Sequence, residues 1–190
     1  MGKYKAKILW ESKGKTPAGD PFFTVKEARG YYVYGQRGGT NSIAFVLKDG
    51  DKYGLIYESK PPLDEKYDEK HMEITAFGGS IDMDKSYKEI CQTEVLEESG
   101  YNVTIDRISD VGKTLVSTQM NQLCYGYLVD VSGLEAGETE SDIYNAEQEA
   151  KDSDEFKHNK VIWFSFDELM GNNDWKSIWI VNKFKWINNG

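Results

Sequence analysis

The stretch that decides the fold lies in the middle of the chain, at residues 79–101, and reads GSIDMDKSYKEICQTEVLEESGY. Ser86 followed by Glu89 is the pattern of a capping box, in which each side chain satisfies a backbone N–H at the start of a helix. Gly100 supplies the left-handed residue that commonly follows a helix end. The sequence therefore predicts a helix over residues 87–99.

Three glutamates of this helix fall where packing residues are expected. On a helical wheel of about 100° per residue, Glu94 and Glu98 lie inside the apolar arc and Glu97 lies at its edge; the arc is formed by Tyr87, Ile90, Cys91 and Val95. The common alternative, a solvated acidic face, predicts the opposite side of the helix. A carboxylate buried without a partner costs several kcal/mol, so these side chains need a cleft or a cation.

The spacing of the three glutamates suits a hard cation. Carboxylates at i, i+3 and i+4 converge on one point, and Mg²⁺ or Mn²⁺ prefer oxygen ligands and commonly accompany phosphate substrates. Gly78 and Gly79, which precede the helix, let the backbone approach such a site closely. The residues themselves therefore predict a metal-assisted phosphate site at Glu94, Glu97 and Glu98.

Strands are predicted on both sides of the helix, which indicates an α+β fold with a mixed sheet. An Asp-Gly turn at Asp49-Gly50 predicts a hairpin, and a final helix rich in aromatic residues follows the last strand. The predicted strands span residues 5–11, 22–36, 42–47, 53–57, 73–77, 102–108, 114–118, 123–131 and 161–166. With no repeat and no long linker, residues 1–190 are expected to form a single domain.

The charge of the chain is concentrated in one segment. The 190 residues carry a net charge of −9, which argues against binding to a nucleic-acid backbone. Residues 134–156 hold nine acidic side chains and one lysine, so this acidic window accounts for nearly all of that charge.

Cysteine usage and hydropathy indicate a soluble protein of a reducing compartment. Cys91 and Cys124 are too few for a disulfide framework or a thiolate zinc site. The sequence shows no signal peptide and no apolar run of the roughly 20 residues that span a bilayer. We therefore expect a cytoplasmic protein with no membrane partner.

Residues 79–101 resemble the Nudix box, Gly-x5-Glu-x7-Arg-Glu-U-x-Glu-Glu-x-Gly-U, where U is bulky and apolar. The spacing is kept throughout, and the matching positions are Gly79, Glu94, Val95, Glu97, Glu98, Gly100 and Tyr101. Two positions depart: Lys85 replaces the first glutamate and Thr93 replaces the arginine, which in the family orients the neighbouring glutamate. The resemblance implies an α/β/α sandwich around a mixed sheet, with the three matching glutamates holding Mg²⁺ or Mn²⁺.

Flanking segments are similar to ADP-ribose and ADP-sugar pyrophosphatases of the same family. Residues 58–62, ESKPP, resemble their Gln-Tyr-Arg-Pro-Pro, with Lys60 at the arginine position. Residues 75–82, TAFGGSID, resemble Glu-x-Pro-Ala-Gly-x-Ile-Asp, with Thr75 replacing the glutamate and Glu73 a candidate to compensate. The strand and helix start at residues 161–169 resemble the end of the Nudix fold.

The resemblance implies a hydrolase that cleaves the pyrophosphate of a nucleoside diphosphate derivative, with ADP-ribose or an ADP-sugar as the expected substrate. Glu94 and Glu98 would be catalytic, and Gly78 would contribute a backbone group to the metal site. Substrate would be bound by Lys60, Arg37 and Gly79. A further acid from the acidic window would act as base or metal ligand, with Glu155 the first choice and Asp154 and Glu149 behind it.

Two alternatives remain open at this point. The departures at Lys85 and Thr93 suit a nucleotide-sugar binding or regulatory module with weakened catalysis. An enzyme acting on nucleoside triphosphates, dinucleoside polyphosphates or capped RNA would share the same box. A homodimer is expected by resemblance, with the strands of residues 1–40 contributing to it.

Overall fold

The computed structural model describes residues 6–16, 19–38, 41–59, 72–81, 84–150 and 160–189. Within these ranges the chain forms a mixed sheet flanked by helices, which confirms the predicted α+β class. The strands are β1 (Lys7–Glu11), β2 (Phe23–Ala28), β3 (Tyr32–Arg37), β4 (Ser42–Asp49), β5 (Lys52–Ser59), β6 (Met72–Thr75), β7 (Phe77–Ser80), β8 (Ile108–Ser117), β9 (Met120–Asp130) and β10 (Lys160–Phe164). The helices are α1 (Tyr87–Ser99), α2 (Glu140–Ala150), α3 (Phe166–Met170) and α4 (Trp175–Asn189).

Strand β4 is the centre of the sheet. It runs parallel to β9 and antiparallel to β7 near its start and to β5 near its end. Its middle residues are buried on both faces, as expected of a strand covered on two sides. Ile43, Phe45 and Leu47 belong to the core beneath α1, whereas Ala44 and Val46 belong to the core beneath α3 and α4. The predicted α/β/α layering is therefore confirmed.

The N-terminal strands extend the sheet beyond β9. β1, β2 and β3 form an antiparallel meander, and β3 meets β9 in parallel at Gly35 and Met120. The Gly35 N–H donates to the Gln119 carbonyl oxygen at 2.7 Å. All five residues of β1 are exposed, so this end of the sheet presents apolar side chains to solvent.

The segment predicted as one strand over residues 22–36 is instead the β2–β3 hairpin, so that prediction was wrong. The turn between the strands contains Arg29 at φ +58° and Gly30 at φ +76°. A positive φ is uncommon for a residue other than glycine. Because arginine is not a typical turn residue, Arg29 did not indicate the turn in the sequence. The Asp49-Gly50 hairpin is confirmed, with Gly50 at φ +58°.

The strand predicted over residues 102–108 was also wrong. Ile105–Arg107 form a 3₁₀ turn, and β8 begins at Ile108. Val103 is buried, but its carbonyl oxygen accepts a hydrogen bond from Gln92 Nε2 of α1 at 2.6 Å. The Val103 carbonyl oxygen is therefore hydrogen-bonded to a side chain of α1, and not to a neighbouring strand as the prediction required.

The acidic window contains the helix α2, and the expected final helix is α4, preceded by the short α3. The Thr139 side chain accepts from the Asp142 N–H at 3.1 Å and donates to Asp142 Oδ2 at 2.8 Å, which stabilises the first turn of α2. In the described part of the chain, no helix has the length and apolarity needed to cross a membrane.

Candidate active site

Helix α1 begins and ends where the sequence predicts. The Ser86 hydroxyl accepts from the Glu89 N–H at 3.3 Å, and the Glu89 carboxylate accepts from the Ser86 N–H at 2.8 Å. Hydrogen bonds from the Ser86 side chain and from its backbone N–H to the carboxylate lower the pKa of Glu89. At the other end Gly100 adopts φ +73° and donates to the Leu96 carbonyl oxygen. The caps set where the helix begins and ends, and burial of Ile90, Cys91 and Val95 in the core sets which face carries the glutamates.

Glu94, Glu97 and Glu98 lie on one wall of a cavity of about 880 Å³. All three are half-buried, and the Oε2 atom of Glu98 is fully enclosed. Gly78 and Gly79 of β7 lie on the same cavity. The structure therefore brings together all five residues that the sequence assigns to the centre of the site.

The close approach of β7 to α1 depends on its two glycines. A Cβ built on Gly79 would lie 2.8 Å from Glu94 Cγ and would collide with the Glu94 carboxylate. A Cβ on Gly78 would lie 3.1 Å from the Ile43 carbonyl oxygen. The absence of a side chain at Gly79 therefore allows the Glu94 carboxylate to lie against the backbone, and its absence at Gly78 allows β7 to lie close to β4.

Burial and neighbouring acids perturb Glu97. Desolvation raises the pKa of Glu97, the charge of Glu140 raises it further, and Lys85 opposes both. Glu140 belongs to α2, so the acidic window does approach the box glutamates, from a helix. Lys85, which stands at the position of the family's first glutamate, acts on the same carboxylate with the opposite sign.

Two cations and three further acids line the same cavity. Arg37 enters from the end of β3 and Lys176 from the first turn of α4. The further acids are Glu58, Glu73 and Asp174. Arg37 was predicted as a phosphate ligand and Glu73 as a compensating acid, and both line the cavity that holds the glutamates. Because acids outnumber cations on the described walls, a phosphate group binds there only with additional positive charge.

Asp174 and Lys176 were missed by the sequence reasoning. The Asp174 carboxylate accepts from the Ala76 N–H at 2.8 Å and from the Ser177 N–H at 3.0 Å. It thus caps α4 and ties that helix to the residue before β7. An aspartate just before a helical pattern is a recognised start signal, and it could have identified Asp174 as the cap of α4. Nothing in the sequence linked Lys176 to the glutamates.

The residues that could hold a divalent cation are Glu94, Glu97 and Glu98, with a backbone carbonyl at Gly78. In the described ranges, no three Asp, Glu, His or Cys side chains are gathered tightly enough to bind a metal ion as they stand. The donor set nevertheless fits in kind, because three carboxylates share one wall and burial already disfavours the charge of Glu97. Gly78 and Gly79 bring the β7 backbone to the same cavity.

Thr93, one of the two departures from the box, forms a hydrogen bond within α1. Thr93 Oγ1 donates to the Glu89 carbonyl oxygen at 3.1 Å, so this hydroxyl is engaged within its own helix.

Lys60, Asp154 and Glu155 lie outside the described residues. Glu149 is exposed near the end of α2.

Comparison with known proteins supports the fold. No model of a known protein family matches the sequence, and no curated protein matches it. The structure is similar to one described as an ADP compounds hydrolase, with a TM-score of 0.59 and 16% identity over 100% of this chain and 95% of that one. It is also similar to a NUDIX hydrolase from Nitrosomonas europaea, with a TM-score of 0.52 and 17% identity over 76% of this chain and 87% of that one. The chain therefore has the fold of the Nudix hydrolases.

Proposed function

We propose that the chain is a Nudix pyrophosphohydrolase that cleaves the pyrophosphate of a nucleoside diphosphate linked to another group, with ADP-ribose or an ADP-sugar as the first substrates to test. The observation that carries the proposal is the single cavity shared by Glu94, Glu97, Glu98, Gly79 and the two cations. The likeness to an ADP compounds hydrolase supports the choice of substrate class.

The glutamates, the two cations and Gly79 each have a part in this reaction. Mg²⁺ or Mn²⁺ held by the three glutamates would supply positive charge beside the pyrophosphate and make water more acidic. Arg37 and Lys176 would bind phosphate oxygens by charge-assisted hydrogen bonds, and Lys60 is proposed to join them. The backbone at Gly79 would lie against the substrate without a side chain in between.

The bond changes follow from hydrolysis of an anhydride. The oxygen of water forms a bond to one phosphorus, and the bond from that phosphorus to the bridging oxygen breaks. A carboxylate of the acidic window acts as general base and takes a proton from the water. Glu155 remains our first choice for this base, ahead of Asp154 and Glu149. With ADP-ribose the products are AMP and ribose 5-phosphate.

The decisive experiment assays a panel of nucleoside diphosphate derivatives with Mg²⁺ and with Mn²⁺, comparing wild type with Glu98→Gln. We expect Glu98→Gln to reduce turnover by at least about 100-fold while the circular dichroism spectrum stays unchanged. Asp51→Asn, exposed in the turn between β4 and β5 and away from the cavity lining, is the matched control and should keep full turnover. Near-normal turnover by Glu98→Gln would refute the assignment.

A second candidate is a Nudix-fold module that binds nucleotide sugars with weakened catalysis. It is favoured by Thr93, whose hydroxyl bonds to its own helix, and by Lys85. This candidate predicts a thermal shift with nucleotide sugars and no Mg²⁺-dependent product release. Nucleoside triphosphates, dinucleoside polyphosphates and capped RNA belong in the same panel, because hydrolysis of one of these would change the substrate class and keep the enzyme.

We also propose that the chain is a homodimer that pairs through its N-terminal strands. Ile8 and Trp10 are 51% and 55% exposed on β1, and β1 is an end strand of the described sheet. Exposed apolar strands of this kind are typical of interfaces. Trp10→Glu should shift the mass measured by light scattering from dimer to monomer.

A cytoplasmic location is proposed from the two thiols. Cys91 and Cys124 are free and buried, and burial raises the pKa of both. Buried, protonated thiols are inert and suit a reducing compartment.

A further inference from the structure

A second cavity, of about 720 Å³, adjoins the one that holds the box glutamates. The two cavities share Glu73, Thr75 and Asp174 as wall residues. Glu73 and Thr75 belong to β6, which pairs with β5 in the described sheet. The cavities therefore meet along β6, where Asp174 ties the start of α4 to the chain between β6 and β7.

The second cavity extends to the opposite face of the sheet. Tyr57 and Ile74 are register partners on β5 and β6, and both line it. Because side chains alternate along a strand, they face away from Glu73 and Thr75. Ile74 and Phe164 pack on the core beneath α3 and α4, so a ligand that fills both cavities has one part on each face.

The two cavities differ in their cations. Arg37 and Lys176 accompany six acids on the walls of the first, whereas the described walls of the second carry Glu73, Glu168 and Asp174 with no lysine or arginine. Hydrogen bonds from Ser165 lower the pKa of Glu168, so this carboxylate is ionised at neutral pH. Such walls repel phosphate and favour neutral groups that donate hydrogen bonds.

The other walls of the second cavity suit a planar, neutral group. Tyr57 and Phe164 contribute aromatic rings, and Asn172 and Asn173 contribute amides. Asn172 Oδ1 accepts from the Asp174 N–H at 2.9 Å, so it holds the turn before α4. Asn173 is exposed and presents both a donor and an acceptor, the combination that pairs with the edge of a base.

We propose that the second cavity binds the nucleoside half of the substrate, with the base against Tyr57 and Phe164 and its edge on Asn173. The pyrophosphate then lies in the first cavity beside Arg37 and Lys176, and the substrate crosses β6. This assignment rests on the proposed function, because it takes the substrate to be a nucleoside diphosphate derivative. It adds which end of that substrate each cavity receives.

Binding of unphosphorylated nucleosides tests the site without any hydrolysis. Adenosine, guanosine, cytidine and uridine are titrated into the full chain by calorimetry, and ribose 5-phosphate is titrated separately with Mg²⁺ present. We expect at least one nucleoside to bind, and Asn173→Ala and Tyr57→Leu each to weaken it about tenfold. Ribose 5-phosphate should bind these variants as it binds wild type, because its phosphate belongs in the first cavity.

Asn188→Ala is the matched control. Asn188 Nδ2 donates to the Phe184 carbonyl oxygen at 2.8 Å, in the last turn of α4 and away from both cavities, so nucleoside binding should be unchanged. Thermal unfolding of Asn173→Ala should match wild type, because the side chain is exposed.

The proposal is overturned if none of the four nucleosides binds wild type, or if Asn173→Ala and Tyr57→Leu bind them as wild type does. Failure of the proposed function gives a different result. Nucleoside binding that depends on Asn173 without hydrolysis of any panel substrate supports this site and refutes the hydrolase. Hydrolysis with a KM that neither variant changes refutes this site and supports the hydrolase.

Discussion

Glu94 of α1 and Gly79 of β7 are in direct contact, and the contact has room for no side chain at position 79. A Cβ there would lie 2.8 Å from Glu94 Cγ and would overlap the carboxylate. The motif glycine and the motif glutamate, fifteen positions apart in the sequence, are thus two sides of one close approach. The glycine is therefore explained by its packing against the glutamate.

Gly79→Ala should therefore damage activity more than stability. The methyl group displaces the Glu94 carboxylate, and a misplacement of about 1 Å can cost on the order of 100-fold in turnover. Overpacking costs about 1–3 kcal/mol of folding free energy. Turnover on the best panel substrate and urea unfolding measure the two effects.

Gly137→Ala serves as the control for Gly79→Ala. Its Cβ would meet the Gly100 carbonyl oxygen at 3.6 Å, an ordinary contact, so both turnover and stability should stay near wild type. Equal losses in the two variants would mean that the contact with Glu94 has no special role.

Removal of the cap at Ser86 should weaken α1. Ser86→Ala deletes the acceptor of the Glu89 N–H, and loss of such a cap typically costs about 1 kcal/mol. Urea unfolding at neutral pH measures the loss. Turnover should fall less than in Gly79→Ala, because the cap lies on the side of the helix away from the cavity.

The same cap makes stability depend on pH with a definite sign. The folded state holds the pKa of Glu89 below its usual value through hydrogen bonds from Ser86. The stabilisation is therefore present above the unfolded pKa and is lost as pH falls through the folded value. Glu89→Gln should flatten this part of the acid limb in urea unfolding; an unchanged slope would contradict the assignment.

The charges of Glu140 and Lys85 should move the pKa of Glu97 in opposite directions. Desolvation and Glu140 raise the pKa of Glu97, and Lys85 lowers it. Glu140→Gln should lower that pKa and Lys85→Gln should raise it, as followed by carbon NMR of labelled glutamate. In wild type the raised pKa means that stability falls as pH rises from the unfolded value through the folded one. Shifts of the same sign in both variants would disprove this arrangement.

Local signals made α1 predictable to the residue. Ser86, Glu89 and Gly100 lie within one short stretch and act on its own backbone, so no distant partner is needed to place the ends. The glutamate face followed from helix geometry alone. The β2–β3 turn was missed because Arg29 adopts a positive φ. A residue other than glycine seldom does so, and an arginine at that position therefore gave no turn signal.

The far walls of the cavity were not predictable in the same way. Lys176 and Asp174 lie about eighty positions after α1 and reach it through the packing of α4 on the sheet. That placement depends on the Asp174 hydrogen bond to Ala76, a contact between distant segments for which one sequence offers no signal. Arg37 was named as a ligand, but its approach depends on β3 joining β9.

Arg37 and Lys176 should act on the phosphate part of the substrate. Each is expected to contribute a charge-assisted hydrogen bond, and loss of one such bond costs roughly 1.5–3 kcal/mol, or about tenfold or more in KM. Arg37→Ala and Lys176→Ala should also weaken inhibition by inorganic pyrophosphate, and nucleoside binding should stay unchanged. Lys183→Ala, whose Nζ lies 4.2 Å from the Trp186 ring, is the control and should alter neither. If pyrophosphate inhibits both cavity variants as it inhibits wild type, the phosphate groups bind elsewhere.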